Sequence, residues 1–225
     1  MKAVMFDLFE TLITEFADGV RKVPRINDFD EQWGLTKQEY DEEWRARQDR
    51  RMNGTFADYP SVLRDMWHSK GKILDEACIQ TLYDSRLYAK SIPFQSISPH
   101  VIYMLKRLKS RGIRIGLISN CTEEEIRAWE RCDLAPYFDE AVFSFETGYA
   151  KPDPQIYALA CDRLQVQPDE AVFVGDGGSR ELEGATAYGI RAYRAAWFTL
   201  KSGDRFKDFE QLIQPQDLLD RLGID

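Results

Sequence analysis

The chain has 225 residues, of which 44% are hydrophobic and 30% charged, enough for one substantial core and a smaller accessory domain. A formal net charge of -8 and an isoelectric point near 5.0 argue against nucleic acid or an anionic membrane surface as the main partner, because both demand a basic footprint. No apolar run approaches the roughly 18 residues of a membrane span. The start Met1-Lys2 enters a strand-like segment without the pattern of a signal peptide, so a cytoplasmic protein with a small-molecule substrate is expected, its oligomeric state open.

The first element is the apolar run Ala3-Val4-Met5-Phe6, a strand that delivers Asp7 to its tip, with Thr11 in the turn that follows. From Glu15 to Pro93 the chain is rich in Trp, Tyr, Arg and Asp. Apolar residues recur there at helical spacing in Tyr40-Trp44, Tyr59-Leu63-Met66-Trp67 and Cys78-Leu82-Leu87, and breakers stand at Asn53-Gly54, Lys70-Gly71 and Ile92-Pro93. This predicts an all-helical insert over residues 15–93, with residues 1–14 and 94–225 forming the main domain. The basic cluster Arg45 to Arg51 reads as a solvated helix face interleaved with acids. Trp33, Trp44, Tyr59 and Trp67 suit the core of the insert at that spacing, although the same residues could line a cavity.

From Ser98 helices and strands alternate. Val101, Leu105 and Leu108 form one helical face that Gly112 can terminate, and residues 113–118 read as a strand. A helix over 124–131, a strand over 140–143, a helix over 154–164, an apolar strand over 171–174, a helix over 179–188 and a last strand over 191–195 follow. Such alternation predicts an α/β fold, a Rossmann-like doubly wound parallel sheet. Each polar group of interest then falls just after a strand: Asp7 after the first, Ser119-Asn120 after the second, Lys151 in the loop after the third, and Gly175-Asp176 after the fourth. Ligands of open α/β sheets bind at that carboxyl edge.

A carboxylate at a strand tip becomes a nucleophile when its charge is balanced and its target made electrophilic. Lys151 and a divalent cation would do both. Asp7, Asp176 and the backbone carbonyl of Phe9 supply the oxygen ligands that Mg²⁺ prefers. Ser119 would hold a phosphate oxygen, and Glu181 would act on a metal-bound water from the second shell. Cys78, Cys121, Cys132 and Cys161 form no C-x-x-C pair, and His68 and His100 belong to no constellation, so neither a zinc site nor histidine catalysis is expected.

The stretches Phe6-Asp7-x-x-x-Thr11-Leu12, Leu117-Ile118-Ser119-Asn120, Lys151-Pro152-Asp153-Pro154-x-Ile156-Tyr157 and Val174-Gly175-Asp176-x-x-x-x-Glu181-x-x-Gly184-Ala185 resemble, in order, the four signature motifs of the haloacid dehalogenase-like (HAD) hydrolase superfamily. The resemblance implies a Rossmann-like core, a helical cap of the superfamily's first subfamily over 15–93, Asp7 as nucleophile, Thr11, Ser119 and Lys151 as its catalytic partners, and Asp176 as a ligand of Mg²⁺. In the family's phosphatases the position two after the nucleophile is a second Asp that protonates the leaving oxygen. Here it is Phe9, and the neighbouring Glu10 points elsewhere on the turn.

An aromatic at that position is similar to the family's metal-independent 2-haloacid dehalogenases, in which Asp7 would displace halide from carbon. Asn120 and a cap arginine would hold halide or carboxylate there, and Trp44-Arg45-x-x-Gln48 resembles the stretch that carries this arginine. Those enzymes usually have Ser-Asn where this chain has Gly175-Asp176. The expectation is therefore a Mg²⁺-dependent phosphatase of a small phosphorylated metabolite, with a 2-haloacid dehalogenase or a catalytically weak metabolite-binding protein as alternatives.

Overall fold

The computed structural model describes residues 1–24, 33–198 and 206–224. In chain order the elements are β1 (Ala3–Phe6), β2 (Phe16–Ala17), β3 (Val20–Arg21), α1 (Lys37–Ala46), α2 (Gln48–Met52), α3 (Tyr59–Ser69), α4 (Glu76–Ser91), α5 (Pro99–Ser110), β4 (Arg114–Ser119), β5 (Glu140–Phe143), α6 (Ser144–Thr147), α7 (Pro154–Leu164), β6 (Ala171–Gly175), α8 (Glu181–Tyr188), β7 (Arg191–Ala195), β8 (Gln211–Leu212) and α9 (Pro215–Leu222). Among the described residues the main sheet has six strands in the order β5-β4-β1-β6-β7-β8, all parallel.

The central strands are apolar runs because helices cover both faces of a parallel sheet. β1 and β6 are buried at every position. On one face Val101, Met104, Leu105 and Leu108 of α5 and Leu218 and Leu219 of α9 join Val4, Phe6 and Leu117. On the other, Ile156, Tyr157, Ala160 and Leu164 of α7 and Leu182 and Ala185 of α8 close over Met5, Ile118 and Phe173. The strand β8 and helix α9 extend the sheet and core beyond the strand expected to be last. Only two residues pair in β8, too short for periodicity to register.

Three expectations about elements are corrected. The insert is not wholly helical: β2 and β3 pair antiparallel around Asp18-Gly19, both with positive φ (50° and 79°) as a tight hairpin turn requires. The stretch 124–131 is not one helix but two short 3₁₀ turns, Glu123–Glu125 and Trp129–Arg131, because Thr122 closes a capping box on Glu125 and buried ion pairs hold Glu124 and Glu125. The helix expected from Ser179 starts at Glu181, since Ser179 and Arg180 are left-handed (φ 48° and 53°).

Helices α1, α3 and α4 are started by side-chain caps at Thr36, Asp58 and Asp75. Trp33, Leu35, Tyr59, Val62, Leu63, Met66, Trp67, Leu74, Ile79 and Leu82 form an apolar cluster of their own. The basic cluster is not a solvated face throughout. Arg47 is buried between Glu43 (2.5 Å) and Asp65 (2.6 Å), and Arg51 is buried with its guanidinium 3.6 Å above the Trp44 ring.

Candidate active site

The register of the central strands assembles the site. Phe6 lies level with Leu117 of β4 and Val174 of β6, and the Asp7 N–H continues the ladder to the Val174 carbonyl at 2.9 Å. The chain ends of three strands therefore meet, bringing Asp7, Ser119 and Asp176 to the same edge. All three residues are buried, as are Thr11, Lys151 and Glu181.

Lys151 is the hub. Its Nζ donates to Asp7 Oδ1 at 2.5 Å, Glu181 Oε2 at 2.6 Å and the Ile118 carbonyl at 2.8 Å. The other Asp7 oxygen accepts from Thr11 Oγ1 at 3.2 Å. Glu181 Oε1 accepts the Gly177 N–H at 3.0 Å, and Asp176 Oδ1 accepts the Gly178 N–H at 2.7 Å. Any side chain at Gly175 would collide with the Glu181 carboxylate, so that glycine lets Glu181 reach back under the strand end. Trp197 anchors the Thr11 carbonyl through its indole N–H at 2.7 Å.

Carboxylate oxygens of Asp7, Asp176 and Glu181 lie within 4.8 Å of one another. Lys151 pairs with two of these three acids, Asp7 and Glu181. Burial raises the Asp7 carboxyl above its ordinary value, Lys151 opposing and Asp176 reinforcing the shift. Burial and Asp7 push Glu181 up to about 8. Burial alone would lower the Lys151 ammonium, but Asp7 and Glu181 outweigh it and raise it. Clustered hard carboxylate oxygens are a donor set that fits Mg²⁺.

Two further observations bear on binding. Ser119 Oγ is completely buried and has no hydrogen-bond partner, which a buried hydroxyl rarely tolerates without a ligand. Beside the insert a cavity of about 130 Å³ is walled by Tyr40, Trp44, Tyr59, Ser85, Arg86 and Lys90. Lys90 also lies above Phe9, its Nζ 4.8 Å from the ring centroid, while the ring packs edge-to-face on Phe94 at 6.4 Å. Phe9 is thus a half-buried apolar contact between the turn after Asp7 and the chain that follows α4.

The structure does not bring every expected residue to a ligand. Arg45 stands exposed on α1 with its Nε bonded to the Asp41 carbonyl of its own helix. Asn120 clamps the Lys151 backbone, its Oδ1 accepting from the Lys151 N–H (2.7 Å) and its Nδ2 donating to the Lys151 carbonyl (2.8 Å). It positions the lysine loop. Glu10, at φ 60°, turns its carboxylate onto its own loop, accepting from Thr14 Oγ1 (2.6 Å) and the Glu15 N–H (2.9 Å).

Sequence reasoning missed Arg86, Lys90, Glu124 and Glu125. Arg86 meets Glu124 at 2.6 Å and Glu125 at 3.0 Å, and Lys90 meets Glu125 at 2.7 Å and Glu15 at 2.9 Å. The acidic run Glu123-Glu124-Glu125 was the one signal available, and nothing local pairs it with a helix nearly forty positions earlier.

The site, a buried strand-tip aspartate beside a lysine, lies at the carboxyl edge of a doubly wound sheet, where ligands of such folds bind. The family model for haloacid dehalogenase-like hydrolases matches residues 1–189, and the chain belongs to that family. It is 31% identical over 197 residues to the glyceraldehyde 3-phosphate phosphatase of Methanothermobacter thermautotrophicus, covering 85% of this chain and 84% of that one. The counterpart from Methanopyrus kandleri is 34% identical over 130 residues, 54% of each chain. (S)-2-haloacid dehalogenase 1 of Pseudomonas sp. is 34% identical over 100 residues, 44% of each. The chain thus spans about half the length of the latter two relatives. Among solved structures, a dehalogenase superposes with a TM-score of 0.68 at 24% identity over 100% of this chain and 98% of that one, and a HAD phosphatase from Thermococcus onnurineus with 0.67 at 23%, covering 100% and 99%. At these identities the two structures support the fold and leave the reaction open. Among the described residues no helix is long and apolar enough to cross a membrane.

Proposed function

We propose that the chain is a Mg²⁺-dependent phosphatase of a small phosphorylated metabolite, with residues 15–93 acting as its cap. The observation that carries this reading is the retained Asp176, whose carboxylate completes the three-acid cluster with Asp7 and Glu181. Asp7, Asp176 and the Phe9 carbonyl would hold the ion. When bound, Mg²⁺ would neutralise the carboxylate cluster and the incoming phosphate.

The chain's own residues supply the rest. The Asp7 oxygen attacks phosphorus and displaces the alkoxide. Thr11 and Lys151 orient the attacking carboxylate through the 3.2 Å and 2.5 Å bonds. Ser119 offers its unpartnered hydroxyl to a phosphate oxygen. Glu181 Oε2 accepts from Lys151 Nζ at 2.6 Å and holds the ammonium in place. Phe9 offers no proton to the leaving oxygen, and the absence of a general acid lowers the rate by about 10²–10⁴-fold for poor leaving groups. The similarity to phosphatases over most of the chain supports the reading.

Phe9 is also the observation favouring the second reading, a 2-haloacid dehalogenase, since halide leaves without a proton. One assay separates the two. Phosphate release from p-nitrophenyl phosphate is expected with Mg²⁺, lost with EDTA and abolished in Asp7→Asn. Chloride release from 2-chloropropionate that survives EDTA, with no phosphoester turned over, would replace the first reading by the second.

A further inference from the structure

The loop after β4 carries Ser119 and Asn120, yet it has no regular helix to hold its shape. What holds it lies on the insert. Arg86 Nε donates to Glu124 Oε1 at 2.6 Å and Nη2 to Glu125 Oε1 at 3.0 Å, and Lys90 Nζ reaches that same Glu125 oxygen at 2.7 Å. The two carboxylates pass the contact inward. Glu124 Oε1 accepts from Thr122 Oγ1 at 2.7 Å, and Glu125 Oε2 accepts the Thr122 N–H at 3.1 Å. The next residue back, Cys121, donates its N–H to Ser144 Oγ at 3.1 Å, and Asn120 clamps Lys151.

The side chains of Glu124 and Glu125 are only 1% and 12% exposed. Carboxylates so placed hold their positions when cations stand beside them, and both flanking cations come from α4. Arg86 and Lys90 also line the cavity walled by Tyr40, Trp44 and Tyr59, and Lys90 lies over the Phe9 ring.

We propose that Arg86 and Lys90 are positioning residues: by pairing with Glu124 and Glu125 they hold the Ser119–Glu125 loop in the shape that puts Ser119 and Asn120 beside Lys151, so that helix α4 completes the phosphate site. The inference rests on the phosphatase reading for its ligand but not for its loop geometry. Two readouts keep them apart: hydrogen exchange of the loop amides, and competitive inhibition by inorganic phosphate during aryl phosphate hydrolysis.

In the full chain, Arg86→Gln and Glu125→Gln are each expected to speed exchange at the Cys121 and Thr122 amides and to weaken phosphate inhibition about ten-fold. The double variant should lose less than the sum of the two single losses, since the Arg86–Glu125 contact is broken in both. Arg86→Lys should restore part of the loss. Where Arg86→Gln fails to fold, the near-isosteric Glu125→Gln carries the test. Unchanged loop exchange in folded Glu125→Gln overturns the proposal, as do a lowered melting temperature with unchanged phosphate inhibition and strictly additive single losses. A wild-type protein that neither binds phosphate nor hydrolyses the ester overturns the phosphatase reading instead, and the exchange result still decides whether α4 holds the loop.

Discussion

Two buried charge clusters lie on either side of Phe9, and burial acts on their acids in the same way with opposite net results. In the first, Lys151 pairs with Asp7 and Glu181 beside Asp176, and the Asp7 and Glu181 carboxyls are raised. In the second, Glu15 and Glu125 face Arg21, Arg86 and Lys90. Burial alone would raise them too, but Lys90 and its neighbouring arginines lower both, Glu125 to about 2. The difference is charge balance. In the second cluster Lys90 and the arginines outweigh burial, whereas in the first Lys151 does not, and a bound cation would oppose the same rise.

The largest expected effect comes from removing the ammonium that Asp7 and Glu181 share. Lys151→Met leaves Asp7 and Glu181 without it, and chemical denaturation should show a loss of about 3–5 kcal/mol, as for other broken buried pairs. A loss below about 1 kcal/mol would mean that water already screens the site.

The balanced cluster should reveal itself in acid. Glu125 titrates near 2 in the folded chain against an ordinary 4.5, so its contribution is complete above about pH 4.5 and is lost as the pH falls through about 2. Glu15, also lowered, adds loss of the same sign. The Glu125 share amounts to about 3 kcal/mol. Urea midpoints measured across that range should fall more steeply for the wild type than for Glu125→Gln, and parallel curves would remove Glu125 from the balance.

The smallest effect runs the other way. A raised carboxyl contributes stability at low pH and loses it as the pH climbs through its folded value, so ionised Asp7 is a burden on the metal-free fold near neutrality. Asp7→Asn should therefore keep or raise the melting temperature, by about 2–4 °C, while abolishing turnover. Coincident loss of stability would show that the cluster is balanced after all. The contrast with Glu125→Gln, also an acid-to-amide change, is the sharpest form of the comparison.

Much of the sheet was legible because its signals are local. Buried parallel strands must be apolar on both faces, so Ala3–Phe6 and Ala171–Gly175 stand out as short apolar runs, and α7 is recognisable from Pro154 through Leu164. The Asp18-Gly19 hairpin was equally local, a turn dipeptide between two strands too short to notice. The helix expected over 124–131 failed for a distant reason: its acids are held by α4. Arg45 stands exposed because neighbouring positions on a helix point in different directions, and it is Arg47 and Arg51 that turn inward.

By itself the sequence determined the α/β class, the family and the strand ends on which Asp7 and Asp176 stand, because short apolar runs announce where those strands end. Only the tertiary structure decided that Lys151 bridges Asp7 and Glu181, that Asn120 clamps the lysine loop, that Phe9 packs under Lys90 and that Arg86 reaches Glu124 and Glu125. Those contacts join residues up to 144 positions apart. Strand ends are encoded by neighbours along the chain, whereas charge balance depends on what the fold places together, and no local pattern carries it.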